Sequence, residues 1–277
     1  NLGAITFREN LLYYYPGTTS KAGLERICEV IAHEIVHQWF GNLVTPKDWK
    51  YLWLNESFAT YFGYACVDHY LPQWDYWDKF LTDETNIAME RDSLRETTSI
   101  EIPSETQVII ITSSTAPIIY NKGGALMLML KDYIGEEPYK KALQEYLQKF
   151  AYEVTETEDL LKVFEESTGQ PLQGMLQKWI TAEGFPQIKG DLNGDTLTLS
   201  HKRFTFLPNN GDTIWPTPIW LTLYFADGTE EKRQLLLGTP SMSFKVEKTL
   251  RAVCLNIGRK GFYRCLYSAD NFMALYK

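Results

Sequence analysis

The sequence predicts an α+β protein: a mainly helical region over residues 1–186, then a small β-sandwich over 187–258. Three observations predict it. Apolar residues recur at helical spacing in most segments before Gly184. After Gly184-Phe185-Pro186 the period changes to two, in short runs rich in Thr, Leu and aromatics. Turn signals such as Asn193-Gly194-Asp195 and Ala226-Asp227-Gly228 then separate those runs at the spacing of a sandwich.

In chain order, Ala4–Phe7 and Leu11–Tyr15 read as short β-type runs, followed by a turn at Pro16-Gly17-Thr18-Thr19-Ser20. Leu24, Ile27, Cys28, Ile31, Ile35 and Phe40 fit one helix from about Ala22 to Phe40. Phe58, Ala59, Phe62, Ala65 and Cys66 fit a second, from about Asn55 to Tyr70. Pro72 ends it, and Trp74, Trp77, Phe80 and Leu81 open a third that runs to about Glu90. Arg91–Ala116 is polar and weakly periodic, with a β-rich patch at Val108–Ile111, and reads as a loop. Further helices are expected at Ile118–Ile134, Tyr139–Ala151, Glu158–Ser167 and Leu172–Thr181. The methionines of the first of these read as core filler. Strands are expected at Thr196–Leu199, Lys202–Phe206, Ile219–Phe225, Arg233–Leu237 and Ala252–Ile257. Residues 259–277 read as the start of a further helical domain, or simply as a C-terminal helix.

The 277 residues are 44% hydrophobic and 14% aromatic, enough for a sizeable core. The net charge of −8 and the lack of any basic run argue against nucleic acid and anionic membrane surfaces. No run of eighteen apolar residues is free of charge, so no membrane span is expected. Cys28, Cys66, Cys254 and Cys265 form no C-x-x-C pair and read as reduced thiols in a cytoplasmic protein. The chain opens without a methionine or signal peptide, as a piece of a longer protein would.

The chemistry concentrates between Glu29 and Glu56. His33-Glu34-x-x-His37 places two imidazoles on one helix face, because a helix advances about 100° per residue. Two imidazoles at that separation can share a metal ion. A catalytic zinc takes three protein ligands and leaves the fourth position open. Glu56, separated from His37 by eighteen residues and at the start of the second helix, is the candidate third ligand. Gly41, Asn42 and Pro46 supply the break that folds the second helix back on the first. A closed structural site would call for cysteines or a fourth ligand, and none is near. Glu34, beside the first histidine, is placed to take a proton from water.

The runs His33-Glu34-Ile35-Val36-His37-Gln38-Trp39-Phe40-Gly41-Asn42 and Trp53-Leu54-Asn55-Glu56-Ser57-Phe58-Ala59 resemble the gluzincin zinc aminopeptidases. That family includes the puromycin-sensitive, aminopeptidase N and tricorn-interacting types. The resemblance implies a thermolysin-like catalytic domain, one zinc ion and peptide substrates with a free N-terminus. It also implies that Tyr120, in Tyr120-Asn121-Lys122-Gly123, donates a hydrogen bond to the oxyanion. From composition alone Tyr120 is one of 17 tyrosines and would read as packing. Two departures stand out. The family's amine-anchoring loop would end at Asn1, so its glutamate, the N-terminal β-domain and most of the C-terminal helical domain are missing. The chain alone is therefore expected to turn over substrate poorly. Many members also carry an acid seven residues after the third ligand, to orient a histidine; here that position is Gly63, so either another group, such as a backbone carbonyl, orients the ring or zinc binds less tightly. Two rival readings stay open: a zinc hydrolase of other specificity (endopeptidase or epoxide hydrolase) and a non-catalytic zinc-binding fragment.

Overall fold

The computed structural model describes residues 2–102, 111–207 and 213–276. These show an α+β chain in two compact units, residues 1–91 with 100–173, and residues 92–99 with 174–277.

In the first unit, α1 (Lys21–Val36) starts where the Ser20 hydroxyl accepts the Gly23 N–H at 3.1 Å. α1 stops at Val36, short of the expected Phe40. The chain tightens through Trp39 N–H to Val36 C=O, and Gly41 N–H then turns to Val44 C=O at 2.8 Å. A two-residue strand, β1 (Thr45–Pro46), pairs in parallel with β2 (Val154–Thr155). α2 (Trp53–Tyr70) is apolar on nearly every side: Trp53, Leu54, Phe58, Ala59, Tyr61, Tyr64 and Val67 are buried. Such a helix belongs at the centre. It packs against α1 and against α5 (Gly123–Ile134).

The expected third helix is three pieces: α3 (Tyr76–Phe80), a π-turn at Leu81–Thr85 and α4 (Asn86–Asp92). Another π-turn, Pro117–Lys122, leads into α5. α6 (Glu136–Lys149) and α7 (Thr157–Thr168) pack together, α7 opening on a reciprocal Glu156–Asp159 capping box. The runs Ala4–Phe7 and Leu11–Tyr15 are not strands. Glu9–Leu11 is a 3-10 turn, and no strand lies beside these residues to complete a ladder among the described residues. The β-rich patch at Val108–Ile111 falls outside the described residues apart from Ile111.

The second unit opens with α8 (Gln173–Thr181) and holds all the remaining strands. The compact boundary therefore falls at Gln173, ahead of the change of period at Pro186. The reason is Trp179, whose ring packs with Trp215 and Phe262 of the same unit and whose indole N–H donates to Pro216 C=O at 2.9 Å. β3 (Pro186–Asn193) and β4 (Thr196–Arg203) form a hairpin. The separate strand expected at Lys202–Phe206 is the end of β4. β5 (Thr217–Phe225), β6 (Glu230–Leu237), β7 (Ser241–Lys245), β8 (Leu250–Leu255) and β9 (Arg264–Tyr267) complete two sheets, ordered β7-β4-β3-β9 and β6-β5-β8. One apolar cluster draws on both, with Ile188, Leu197 and Leu199 from the first and Ile219, Leu221, Leu223 and Val253 from the second.

Residues 259–277 hold a strand and a C-terminal helix that join the sheets. β9 pairs in parallel with β3. α9 (Ala269–Leu275) lies on β8, where the Asn271 amide accepts Val253 N–H at 2.8 Å and donates to Val253 C=O at 2.9 Å. That contact covers part of a sheet edge.

Candidate metal centre

α1 presents His33, its C-cap residue His37 stands one turn on, and the first turn of α2 brings Glu56 to them. The His33 Nε2 to His37 Nε2 distance is 3.1 Å, and each lies 3.3 Å from Glu56 Oε2. Zinc bonds to nitrogen and oxygen of about 2.0–2.1 Å in a tetrahedral shell separate neighbouring ligand atoms by about 3.3 Å. The triangle fits that ion, and the donor set of two imidazoles and one carboxylate fits its chemistry. Among the described residues these three are the group of metal-ligating side chains that converge in this way.

Electrostatics agree with the geometry. Burial pushes the Glu56 carboxyl up, but the two imidazoles against it outweigh burial and hold it at about 2. For His37, burial opposes protonation, while the Glu56 contact and the Phe40 carbonyl outweigh it and raise the pKa. His37 Nδ1 sits 3.0 Å from Phe40 C=O. A proton on Nδ1 leaves Nε2 free to ligate, so a backbone carbonyl orients this ring. Gly63 instead lies against the backbone of α1: a Cβ there would be 3.4 Å from Glu29 O and from His33 N, in ordinary contact beside the first histidine.

Glu34 and Tyr120 share one cavity with the trio, about 530 Å³ in volume, whose wall also includes Val30 and Thr60. The Tyr120 ring stacks on His33, centroids 6.1 Å apart and planes 12° from parallel. Burial, and then the negative charge of Glu56, raise the Tyr120 phenol well above its ordinary range, so it stays protonated. The four expected site residues on α1 and α2 and the tyrosine some sixty residues later thus line one cavity.

Over residues 1–179 the chain matches the Peptidase family M1 domain. The chain belongs to that family. It is 38% identical over 98% of its length to a probable aminopeptidase 1 of Saccharolobus solfataricus. A tricorn protease-interacting factor F2 of Thermoplasma volcanium is 37% identical over 98% of the chain. A leucyl aminopeptidase of Saccharolobus solfataricus is 34% identical over 96%. The chain spans about a third of the length of these relatives: 34%, 33% and 33% respectively.

Sequence reading missed several features of this M1 site. Arg26 and Glu29, which form an ion pair, and Glu84 also line the cavity. The positions of Arg26 and Glu29, seven and four before His33, carry the signal in helical spacing. Glu84, on the π-turn after α3, carries none. It is pushed up to about 7, first by burial and then by the nearby Glu29 charge, which outweigh the hydrogen bond from the Tyr64 hydroxyl at 2.9 Å. No helix among the described residues is long and apolar enough to cross a membrane, and the four cysteines are unpaired.

Proposed function

We propose that this chain is the catalytic segment of a zinc aminopeptidase. In this reading the first unit is a thermolysin-like peptidase domain and the two sheets are a β-sandwich. One zinc ion is held by His33, His37 and Glu56. The substrates are short peptides with a free N-terminus, and the setting is cytoplasmic. The observation that carries the reading is the metal-sized triangle sharing one cavity with a carboxylate and a protonated phenol.

A zinc ion held by His33, His37 and Glu56 would supply Lewis acidity toward a carbonyl oxygen and toward water. Glu34 accepts a proton from the attacking water and delivers it to the departing amine. The Tyr120 hydroxyl donates to the carbonyl oxygen as negative charge builds there. The phenol is neutral and holds its proton at neutral pH, and its raised pKa widens that margin. The names of the relatives supply the aminopeptidase assignment.

Glu34→Gln tests it. The variant keeps about one zinc per chain by elemental analysis and loses at least about a hundredfold in kcat on aminoacyl reporters. Turnover at the parent rate would remove Glu34 from the chemistry. Preference for N-blocked over free peptides in the parent would replace the aminopeptidase reading with another zinc hydrolase.

A further inference from the structure

A buried serine ties the π-turn that carries Tyr120 to the helix that carries Glu56. Ser57 follows the third ligand directly and is 0% exposed. Its hydroxyl donates to the Ile119 carbonyl at 2.6 Å, one residue before Tyr120. The turn is wide here: Gly123 N–H reaches back to Ile118 C=O, five residues away. A π-turn inserts an extra residue and rotates the side chains before it relative to the helix that follows. Unlike a regular helix, the aim of such a turn depends on what clamps it from outside.

Packing at the clamp is as close as backbone allows. A Cβ on Gly123 would lie 1.8 Å from Ser57 Oγ and 2.7 Å from Ser57 Cβ. Only glycine admits the serine there. The Lys-Gly pair after the tyrosine thus has a physical reason in this chain: its glycine makes room for the hydroxyl that holds the turn. The serine, its neighbour Glu56, the Ile119 carbonyl and Tyr120 form one short mechanical path.

We infer that Ser57 is a positioning residue: it fixes the Pro117–Lys122 π-turn against α2, and so sets where the Tyr120 hydroxyl stands relative to the metal ligands. This rests on the proposed role of Tyr120 but is separable from it.

The test is a double-mutant cycle with a spectroscopic arm. Ser57→Ala is expected to lower kcat about tenfold, with KM within about twofold and about one zinc per chain retained. Ser57→Cys, of similar size and a weaker donor, is expected to fall between the parent and Ser57→Ala. In a Tyr120→Phe background, Ser57→Ala is expected to cost nothing further, because it acts through the tyrosine. Parent-like kcat in Ser57→Ala overturns the inference, and so does an equal loss in both backgrounds. Separately, 3-fluorotyrosine placed at position 120 of the zinc-loaded chain reports its surroundings by 19F NMR. Its resonance is expected to move in Ser57→Ala, while a 3-fluorotyrosine at buried position 139 stays put. An unmoved signal at 120 overturns the inference. If the parent turns over no aminoacyl substrate, the functional reading fails, and the 19F comparison still decides the clamp.

Discussion

The two units are built by different means. In the sheets, regular strands carry the core: β4 buries every second residue from Leu197 to His201, β5 is buried almost throughout, and Ile188, Leu197, Leu199, Ile219 and Leu223 are fully buried with no polar chemistry among them. In the helical unit the working residues sit where regularity fails. His37 stands just past the last residue of α1, Glu56 in the first turn of α2, and Tyr120 and Glu84 on π-turns. Regular elements bury apolar surface well, yet their ladders leave few groups to aim. An end or a widened turn frees a side chain to point elsewhere, and a neighbour must then hold it in place.

Predictions sharpen that contrast. The largest effect is expected at His37→Ala, which removes one of three metal ligands. Zinc content by elemental analysis should fall to background, with activity following it; a stoichiometric metal content would break the assignment. Next is Tyr120→Phe, which should lower kcat about a hundredfold to a thousandfold with zinc unchanged, as for a lost oxyanion donor. Parent-like turnover there would mean that stacking on His33 is its whole role.

Smaller effects are expected in the sheets. Leu223→Ala should destabilise the second unit by about 2–5 kcal/mol in denaturant unfolding. Folded protein should still carry one zinc, because the change opens a cavity within the apolar cluster of the sheets, to which none of the three ligands belongs. A loss of metal at full folding would show that the contrast between the units is false.

The smallest effect concerns pH. His201 is buried and accepts the Trp215 N–H at 3.3 Å on Nε2. Burial outweighs its hydrogen bonds and lowers its pKa to about 4. Since the folded value lies below the ordinary 6.5, the unfolded chain binds the proton more readily. Stability is therefore fully present above about pH 6.5 and declines as pH falls towards 4, by on the order of 2 kcal/mol. His201→Phe should flatten that slope, measured as unfolding midpoints from pH 4 to 7. An unchanged slope would assign it to other groups.

Much of this was legible in the sequence. The spacing of His33, Glu34 and His37 on a helix is fixed by helical geometry, which is local. The α+β division was legible because periods of 3.6 and 2 differ over a few residues. Glu56 was legible through the break at Gly41–Pro46. Other features depend on which surfaces meet. Trp179 joins α8 to the sheet unit, although its helix reads like those before it. β7 and β9 are short and half exposed, so their pattern is faint until β4 and β3 stand beside them.

What the sequence alone determined, then, is the pair of imidazoles, the neighbouring carboxylate and the order of helices before strands. Each is set by spacing along a single stretch of chain. Tertiary structure decided the rest. The triangle closes to 3.1 and 3.3 Å because α2 packs against α1, with Gly63 bare against the backbone at His33. Tyr120 enters the cavity because a widened turn, with Gly123 against Ser57, points it there. Those contacts join residues from about twenty to more than sixty positions apart, and no local periodicity encodes a distance of that kind.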